Sequence, residues 1–502
     1  MKRYIVAILI VMLSAGAASA QDELRLSLKE AIKLVVEKNL DVQVALYTPA
    51  QSEADIHKYQ GIYNPLLTLL ANYQDSATPQ STITGTTTTT EVESIVKQRS
   101  TNVNAGLSQL IPTGGTVGVT FNNSWNHYNF GGGGINYFQT NAALNYTQPL
   151  LKNFGKETTE LAINVARFSK EGALEQFKTN LVTIIAQLKT QYHQLYSLRE
   201  NLEVKKTSLK LAETILTNTQ AQVKAGVLPS MEILNAQFGV ATRQKELIDA
   251  ERALRDQVDV LRVMLQVRDV TDIIPIDSPF RDSYPVDDAA AIRNALAERN
   301  DLKQLRVALK TSELQSRVAR TQTLPQLDFT TNAGLFGLGS TYSNDLDRVG
   351  SGKYPTWNAG LQFTYPLGND AAKNDYIKSK LLAEQGRTQI RSLEETISRD
   401  VRTAIRAVSS GYKQLDVTAR GRAYAEEVVQ AYIKKQKVGL ATTKDVLDVL
   451  NNMVTAQGSE IQAVTDYNNA IVTLWKTTGE LLPREGIVLG EKEADSLYSA
   501  NR

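Results

Sequence analysis

Asn141-Ala-Ala-Leu-Asn-Tyr-Thr-Gln-Pro-Leu150 recurs 217 residues later as Asn358-Ala-Gly-Leu-Gln-Phe-Thr-Tyr-Pro-Leu367, without a gap. In the second copy Ala359, Leu361, Phe363 and Tyr365 alternate with Asn358, Gly360, Gln362 and Thr364. A period of two marks a strand with one apolar and one small-polar face. A second pair lies nearly in step: Ala225-Gly-Val-Leu-Pro-Ser-Met-Glu-Ile-Leu-Asn235 matches Val438-Gly-Leu-Ala-Thr-Thr-Lys-Asp-Val-Leu-Asp448, 213 residues on. Glu37-Lys-Asn-Leu-Asp41 resembles Glu298-Arg-Asn-Asp-Leu302, and Pro65 and Pro325 open the first strands. The chain is a tandem repeat, each half running helix, strands, long helix, tight turn, helix.

The same alternation marks Leu67 to Tyr73, Val103 to Leu107, Val117 to Phe121, Ala142 to Tyr146 and Leu327 to Leu335. Such strands suit a membrane barrel, apolar toward lipid and Asn/Gln/Thr/Gly toward a wet lumen; the edge of a soluble sandwich is the competing reading. The strand blocks span about 64–150 and about 325–367. Measured from Pro65 to Pro149 and from Pro325 to Pro366, the first is longer by 43 residues, space for one further hairpin at about 98–126 around Pro112-Thr-Gly-Gly-Thr116. Four strands, or six with that hairpin, do not readily close into a channel, and open edges cannot sit in lipid. The sequence therefore predicts several chains sharing one barrel. Ser76–Lys97, Asn129–Asn136 and Gly339–Tyr354 read as solvated, flexible loops.

Elsewhere the period lengthens. No proline lies between Pro149 and Pro229 or between Pro366 and Pro483, leaving room for uninterrupted helices. Leu174, Leu181, Leu188, Leu195, Leu202, Leu209, Leu216 and Val223 recur every seventh residue. Ile397 to Ala419 and Leu447 to Trp475 carry apolar residues at steps of three and four, with Gln457 and Asn468 as polar gaps. These seams predict coiled coils at about 156–270 and 370–482. A helix over 156–225 would be roughly 105 Å long at 1.5 Å per residue.

Met1–Ala20 has a basic start, an apolar run Tyr4–Leu13 and a small-residue end Ala18-Ser-Ala20, the form of a secretory signal peptide; a membrane anchor is the alternative. The apolar run is shorter than the about 20 residues a spanning helix needs. The organisation expected is 1–20 signal peptide, 21–270 first repeat, 271–484 second repeat and 485–502 tail. The chain carries 55 Lys+Arg and 53 Asp+Glu; without Lys2 and Arg3 the charges balance. A balanced chain argues against nucleic-acid binding, which rests on basic surface. With no cysteine there is no disulfide, thiolate site or lipid anchor on cysteine. Three histidines leave little material for imidazole catalysis, and zinc-protease, phosphate-loop and nucleophile-elbow motifs are missing. No catalytic residue, cofactor or metal site is expected, and the reading is that of a non-enzyme.

These residues resemble the TolC family of outer-membrane efflux proteins over about Leu26 to Pro483. The most specific piece is Val438–Asp448, similar to the family's VGxxxxxDVLD turn. Asn64-Pro65, Leu324-Pro-Gln-Leu327 and Thr147-Gln-Pro-Leu-Leu151 are also familial. The resemblance implies a homotrimer, a 12-stranded barrel in outer-membrane lipid, and a periplasmic α-barrel. A periplasmic adaptor and an inner-membrane transporter would dock at its end. It further implies that Asp445 and Asp448, three apart on one helix face, line a periplasmic constriction where clustered carboxylates favour cations. Thr442-x-x-Asp445 is equally a helix-capping pair, so for Asp445 a purely local role stays open, as it does for Asp448, which sits a turn further in and gains less from the helix dipole. Glu232 matches the acidic partner in the first repeat. The Tyr and Arg that the family ties to it are replaced by Gln436 and Ala441, so Glu232 is expected to add negative charge instead of closing a salt bridge. The turns holding Gly226, Val227 and Leu228 and Gly439, Leu440 and Ala441 are the expected adaptor-docking tips, or simply helical-hairpin turns. The leading function is the exit duct of a tripartite efflux or type I secretion system. A structural periplasmic coiled-coil protein without a pore is the alternative.

Overall fold

The computed structural model describes residues 23–82, 92–130, 133–268, 270–487 and 490–501. The signal-peptide segment, Thr86–Thr90 and Gly131–Gly132 lie outside the described residues. The chain is mixed α and β and divides into two compact units, each assembled from both repeats.

The strand unit comprises Ala50–Gly172 and Leu305–Gln389. Its sheet is built from β2 (Leu66–Thr82), β3 (Val92–Leu110), β4 (Thr116–Phe130), β5 (Gly133–Pro149), β7 (Gln326–Gly339) and β8 (Pro355–Thr364). The order is β2-β3-β4-β5-β7-β8, antiparallel throughout. The expected extra hairpin is therefore β3–β4, and this sheet has six strands where the resemblance implies four. Register keeps one face apolar across the sheet: Leu67 pairs with Leu107, then Val119, Leu144, Ala333 and Trp357. Leu67, Leu107, Val119, Leu144 and Trp357 are all exposed, so the chain itself supplies no core to cover this row. The row behind it reads Ser108, Gly118, Asn145, Asn332 and Asn358. On that face Asn145 donates to Thr120 Oγ1 at 3.0 Å, and Asn332 donates to Asn145.

Three loop expectations are corrected. Ser76–Thr82 and Val92–Lys97 extend β2 and β3 as paired strand, because cross-strand backbone bonding continues beyond the apolar stretch. Asn129, Phe130 and Gly133–Asn136 likewise belong to β4 and β5. Gly339–Tyr354 contains helix α7 (Tyr342–Gly350), capped by Thr341, whose side chain accepts from Asn344 N–H. Asp345 of α7 is wholly buried and accepts from the backbone N–H of Thr140 at 3.2 Å and from its hydroxyl. Gly337 permits this approach, since a Cβ there would stand 2.5 Å from Asp345.

Among the described residues the helical unit comprises 23–49, 173–304 and 390 onward. Each repeat opens on a helix pair: α1 (Leu28–Lys38) with α2 (Leu40–Gln60), and α5 (Asp288–Glu298) with α6 (Asn300–Thr321). The breaks fall at the equivalent, extended residues Asn39 and Arg299. The long helices are α3 (Leu161–Lys224), α4 (Met231–Leu265), α8 (Asp370–Lys437) and α9 (Thr443–Thr478). Strands β1 (Glu23–Leu26) and β6 (Asp272–Pro275) pair in parallel where the repeats begin.

The core packs Phe177, Leu181, Ile185, Leu188 and Leu195 of α3 with Leu261 and Leu265 of α4, Ile32 and Val35 of α1, and Ile273 of β6. The seven-residue seam holds through Leu202, then moves. Ser208, Ala212, Ile215 and Thr219 are buried, while Leu209 and Leu216 are half-buried. A straight helix has 3.6 residues per turn, so a strict seven-residue row drifts around it by about 20° per heptad.

Candidate functional site at the hairpin tips

The two tips are built alike. Gly226 follows α3 with φ 72° and Gly439 follows α8 with φ 74°. Gly226 N–H donates to Val223 O at 3.0 Å and Val227 N–H to Gln222 O at 2.9 Å. At the other tip Gly439 N–H donates to Gln436 O at 3.0 Å and Leu440 N–H to Lys435 O at 2.9 Å. Each pair is a Schellman closure, which satisfies the last carbonyls of the helix and needs a left-handed residue, hence glycine. Val227 and Leu440 are exposed; Leu228 and Ala441 are half-buried.

The second strokes of the hairpins begin differently. α9 starts with a complete capping box: Thr442 Oγ1 accepts from Asp445 N–H at 3.1 Å, and Asp445 Oδ2 accepts from Thr442 N–H at 2.9 Å and from its hydroxyl at 2.8 Å. Those bonds to the Asp445 carboxylate hold its pKa below the ordinary aspartate value. In α4 the residue aligned with Thr442 is Pro229, which has no hydroxyl, and Ser230 makes no side-chain cap. Glu232, the repeat equivalent of Asp445, is thus left without a box of its own. It crosses to the other hairpin, where Glu232 Oε2 accepts from the backbone N–H of Thr443 at 2.9 Å. It caps α9 from outside. The contact is a hydrogen bond and not a salt bridge, and it gives Glu232 a structural partner beyond its charge.

Thr443 is the node of this arrangement. It is wholly buried, as is Thr219 of α3, and Gln436 of α8 is nearly so. Gln436 Nε2 donates to Thr443 Oγ1 at 3.2 Å, and the Thr219 and Thr443 hydroxyls lie 3.4 Å apart. One side chain and its backbone amide therefore join all four long helices. Sequence reading treated Gln436 as a departure and did not single out Thr219 or Thr443, which lie 224 residues apart and share no local motif.

Further along the same helices from the tips, a polar cluster repeats the theme. Arg243 is buried and holds Glu246 through both carboxylate oxygens at 2.9 and 3.0 Å. It also reaches Asn451 of α9 at 3.3 Å, while Lys205 of α3 bonds Glu246 at 3.0 Å. Burial pushes the Glu246 pKa up, but the bonds from Lys205 and Arg243 outweigh it and the net shift is downward. Gly239 sits opposite Leu447, whose methyls would lie 2.7 and 2.8 Å from any Cβ placed there, so α4 and α9 meet at close range.

The structure thus brings Glu232 to the start of α9 with Asp445, while Asp448 stands exposed one turn further on. Among the described residues, no group of three or more His, Asp or Glu side chains could hold a metal ion, and no helix is long and apolar enough to cross a membrane.

The family model described as outer membrane efflux protein matches residues 31–265 and 291–480. The chain belongs to that family, whose place is the outer membrane. It is 21% identical to outer membrane protein TolC of Escherichia coli K12 over 374 residues, covering 73% of this chain and 74% of that one. It is 22% identical to the pyoverdine export outer membrane protein OpmQ of Pseudomonas aeruginosa, over 59% of this chain and 61% of the relative. Among solved structures the outer-membrane channel OprN superposes with TM-score 0.67 at 16% identity, covering 90% of both chains. The Campylobacter jejuni CmeC outer membrane channel gives TM-score 0.64 at 16% identity, over 95% of this chain and 89% of that one.

Proposed function

We propose that three copies of this chain join their sheets into one outer-membrane barrel and their hairpins into a periplasmic tube, forming the exit duct of a tripartite exporter. One observation carries this reading. The sheet is open, with β2 and β8 at its edges, and an exposed apolar row crosses every strand. Unpaired edges cannot stand in lipid, so neighbouring copies must meet edge to edge. A coiled-coil protein without a pore has no use for that row.

Six strands per chain give a barrel of about eighteen, a size at which porins hold an aqueous channel. Diameter grows roughly linearly with strand number, so this duct is about half again as wide as one built from four strands per chain. At the periplasmic end Asp445 and Asp448 from three copies form the constriction. The Asp445 carboxylate is already engaged by Thr442, so Asp448 is the freer member of the ring. The tips at Gly226–Leu228 and Gly439–Ala441 receive the periplasmic adaptor, which links the duct to an inner-membrane transporter. Its cargo is small-molecule efflux substrates or secreted polypeptide.

Deleting residues 92–130 tests the barrel. It removes β3 and β4 and leaves β2 antiparallel to β5, with Leu67 facing Leu144 through the same apolar row. The purified full chain should conduct in planar bilayers and admit larger polymers than the deletion variant. Equal exclusion sizes would place the hairpin outside the wall, and a full chain that does not conduct would sink the duct reading.

A further inference from the structure

A cavity of about 330 Å³ lies in the helical unit beneath the segment joining the two repeats. Its wall is aromatic: Tyr192, His193 and Tyr196 come from α3, Phe280 and Tyr284 from the joining segment, and Trp475 from α9. The segment is pinned in place. Phe280 N–H donates to Asn468 Oδ1 at 3.0 Å while Asn468 Nδ2 returns a bond to Phe280 O at 2.9 Å. Tyr467 donates to Asp282 O at 2.7 Å and accepts from Tyr284 N–H at 3.1 Å. The rings are fixed against each other too, with Tyr284 and Trp475 centroids 6.2 Å apart and Phe280 and Tyr284 edge to face at 6.5 Å. The cavity is thus preformed, with the size and lining of a small-molecule site.

Its polar groups define the ligand. Tyr192 spends its hydroxyl on Leu26 O at 2.9 Å, Tyr284 accepts from Trp475 Nε1 at 3.0 Å, and Lys189 is paired with Glu485. Lys189 also covers one face of Trp475, 4.5 Å from the ring centroid. His193 differs. Its Nδ1 lies 2.9 Å from Asn469 Oδ1, which can only accept, so Nδ1 carries the hydrogen. In the neutral ring Nε2 is then an acceptor, and burial favours that neutral form. Asp277 also lines the cavity, but its carboxylate already accepts from Leu28 N–H and from the Tyr192 hydroxyl. A wall of rings with His193 Nε2 open as an acceptor and no uncommitted cation suits a flat aromatic molecule that donates a hydrogen bond. We propose that this cavity binds a planar aromatic ligand with one N–H or O–H donor, of the indole or phenol class, donating to His193 Nε2. None of these residues lies at the tips or in the strand unit, so the site is distinct from the tip residues and the sheet described above.

The test uses the purified full chain in detergent, with 5-fluoroindole and 5-fluoro-1-methylindole as fluorine NMR probes. 5-Fluoroindole should give a saturable bound signal, and the N-methyl compound, lacking the donor, should bind at least about 5-fold more weakly. His193→Phe should weaken 5-fluoroindole by about 5-fold or more and leave the N-methyl compound unchanged, matching the loss of one hydrogen bond. Ser278→Trp, at an exposed position on the rim, should block both probes without touching the core, and Val472→Phe should do so from the floor. No saturable signal overturns the site. A signal that survives in both blocked variants is partition into detergent and overturns it equally. Equal affinity for the two probes, or indifference to His193→Phe, refutes the assignment of the donor.

Discussion

Thr443→Val is the sharpest probe of the tips. Valine keeps the shape of threonine and the backbone N–H that Glu232 accepts, so the substitution removes only Oγ1. That atom accepts from Gln436 at 3.2 Å and lies 3.4 Å from the Thr219 hydroxyl, all three side chains being buried. A neutral hydrogen bond contributes about 1 kcal/mol net, but a buried donor left without a partner raises the loss to about 1–3 kcal/mol. The tip should therefore open locally about 5- to 150-fold more often. Hydrogen exchange of the detergent-purified protein, read by mass spectrometry on peptides covering residues 436–446, measures this directly. Gln436→Met supplies the control. Combined with Thr443→Val it replaces both partners by apolar groups, and the pair should cost less than the two single changes together. Exchange within twofold of wild type in Thr443→Val, or strict additivity in the double variant, would refute the node.

Other expectations follow from neighbouring contacts. Glu232→Gln keeps an acceptor for Thr443 N–H and should preserve tip protection in the same exchange experiment, whereas Glu232→Ala should lose it; equal loss in both would mean that charge matters and the cap does not. Glu246 has a folded pKa below its ordinary 4.5, so its stabilising effect is present above 4.5 and disappears as pH falls through the lower folded value. Thermal unfolding of the chain should therefore ease on acidification through that range, and Glu246→Gln should flatten the profile. Tyr192, pushed up to about 12 mainly by burial, contributes stability below its ordinary 10 that is lost as pH rises through about 12; Tyr192→Phe should remove this alkaline limb of thermal unfolding. Gly337→Ala puts a methyl against Asp345 and should displace α7 at about 1–3 kcal/mol, seen as faster proteolysis within residues 340–354 of otherwise folded protein.

What the sequence disclosed depended on how periodic each part is. The strands were legible because their apolar residues alternate over ten positions, and the register that aligns Leu67 with Leu107, Val119 and Leu144 follows from that alternation. The ends of β2 and β3 were not, because Ser76–Thr82 and Val92–Lys97 lack the regular apolar alternation of the strand centres, while their backbone pairing continues. α7 escaped for a related reason. Its one buried anchor, Asp345, looks like a loop residue until Thr140, 205 residues away, accounts for its carboxylate.

The tips make the same point at the level of single atoms. The repeat aligns Glu232 with Asp445 and suggests two equal acids, but equal positions in a duplicated chain need not keep equal work. Thr442 gives Asp445 a hydroxyl and an amide within its own turn. Pro229, in the matching place, offers neither a hydroxyl nor an N–H. The carboxylate of Glu232, one methylene longer, is then free to reach the other hairpin, and the start of α9 takes a cap from each repeat. The proline was visible in the sequence. Its consequence was not, because it depends on how near the second hairpin stands. The asymmetry also decides what the tip can do when it opens: separating the hairpins breaks the Glu232–Thr443 bond but leaves the Asp445 box whole. α9 therefore keeps its own cap when the tie between hairpins is lost, and Asp445 and Asp448 hold their positions on a helix that stays folded to its first turn.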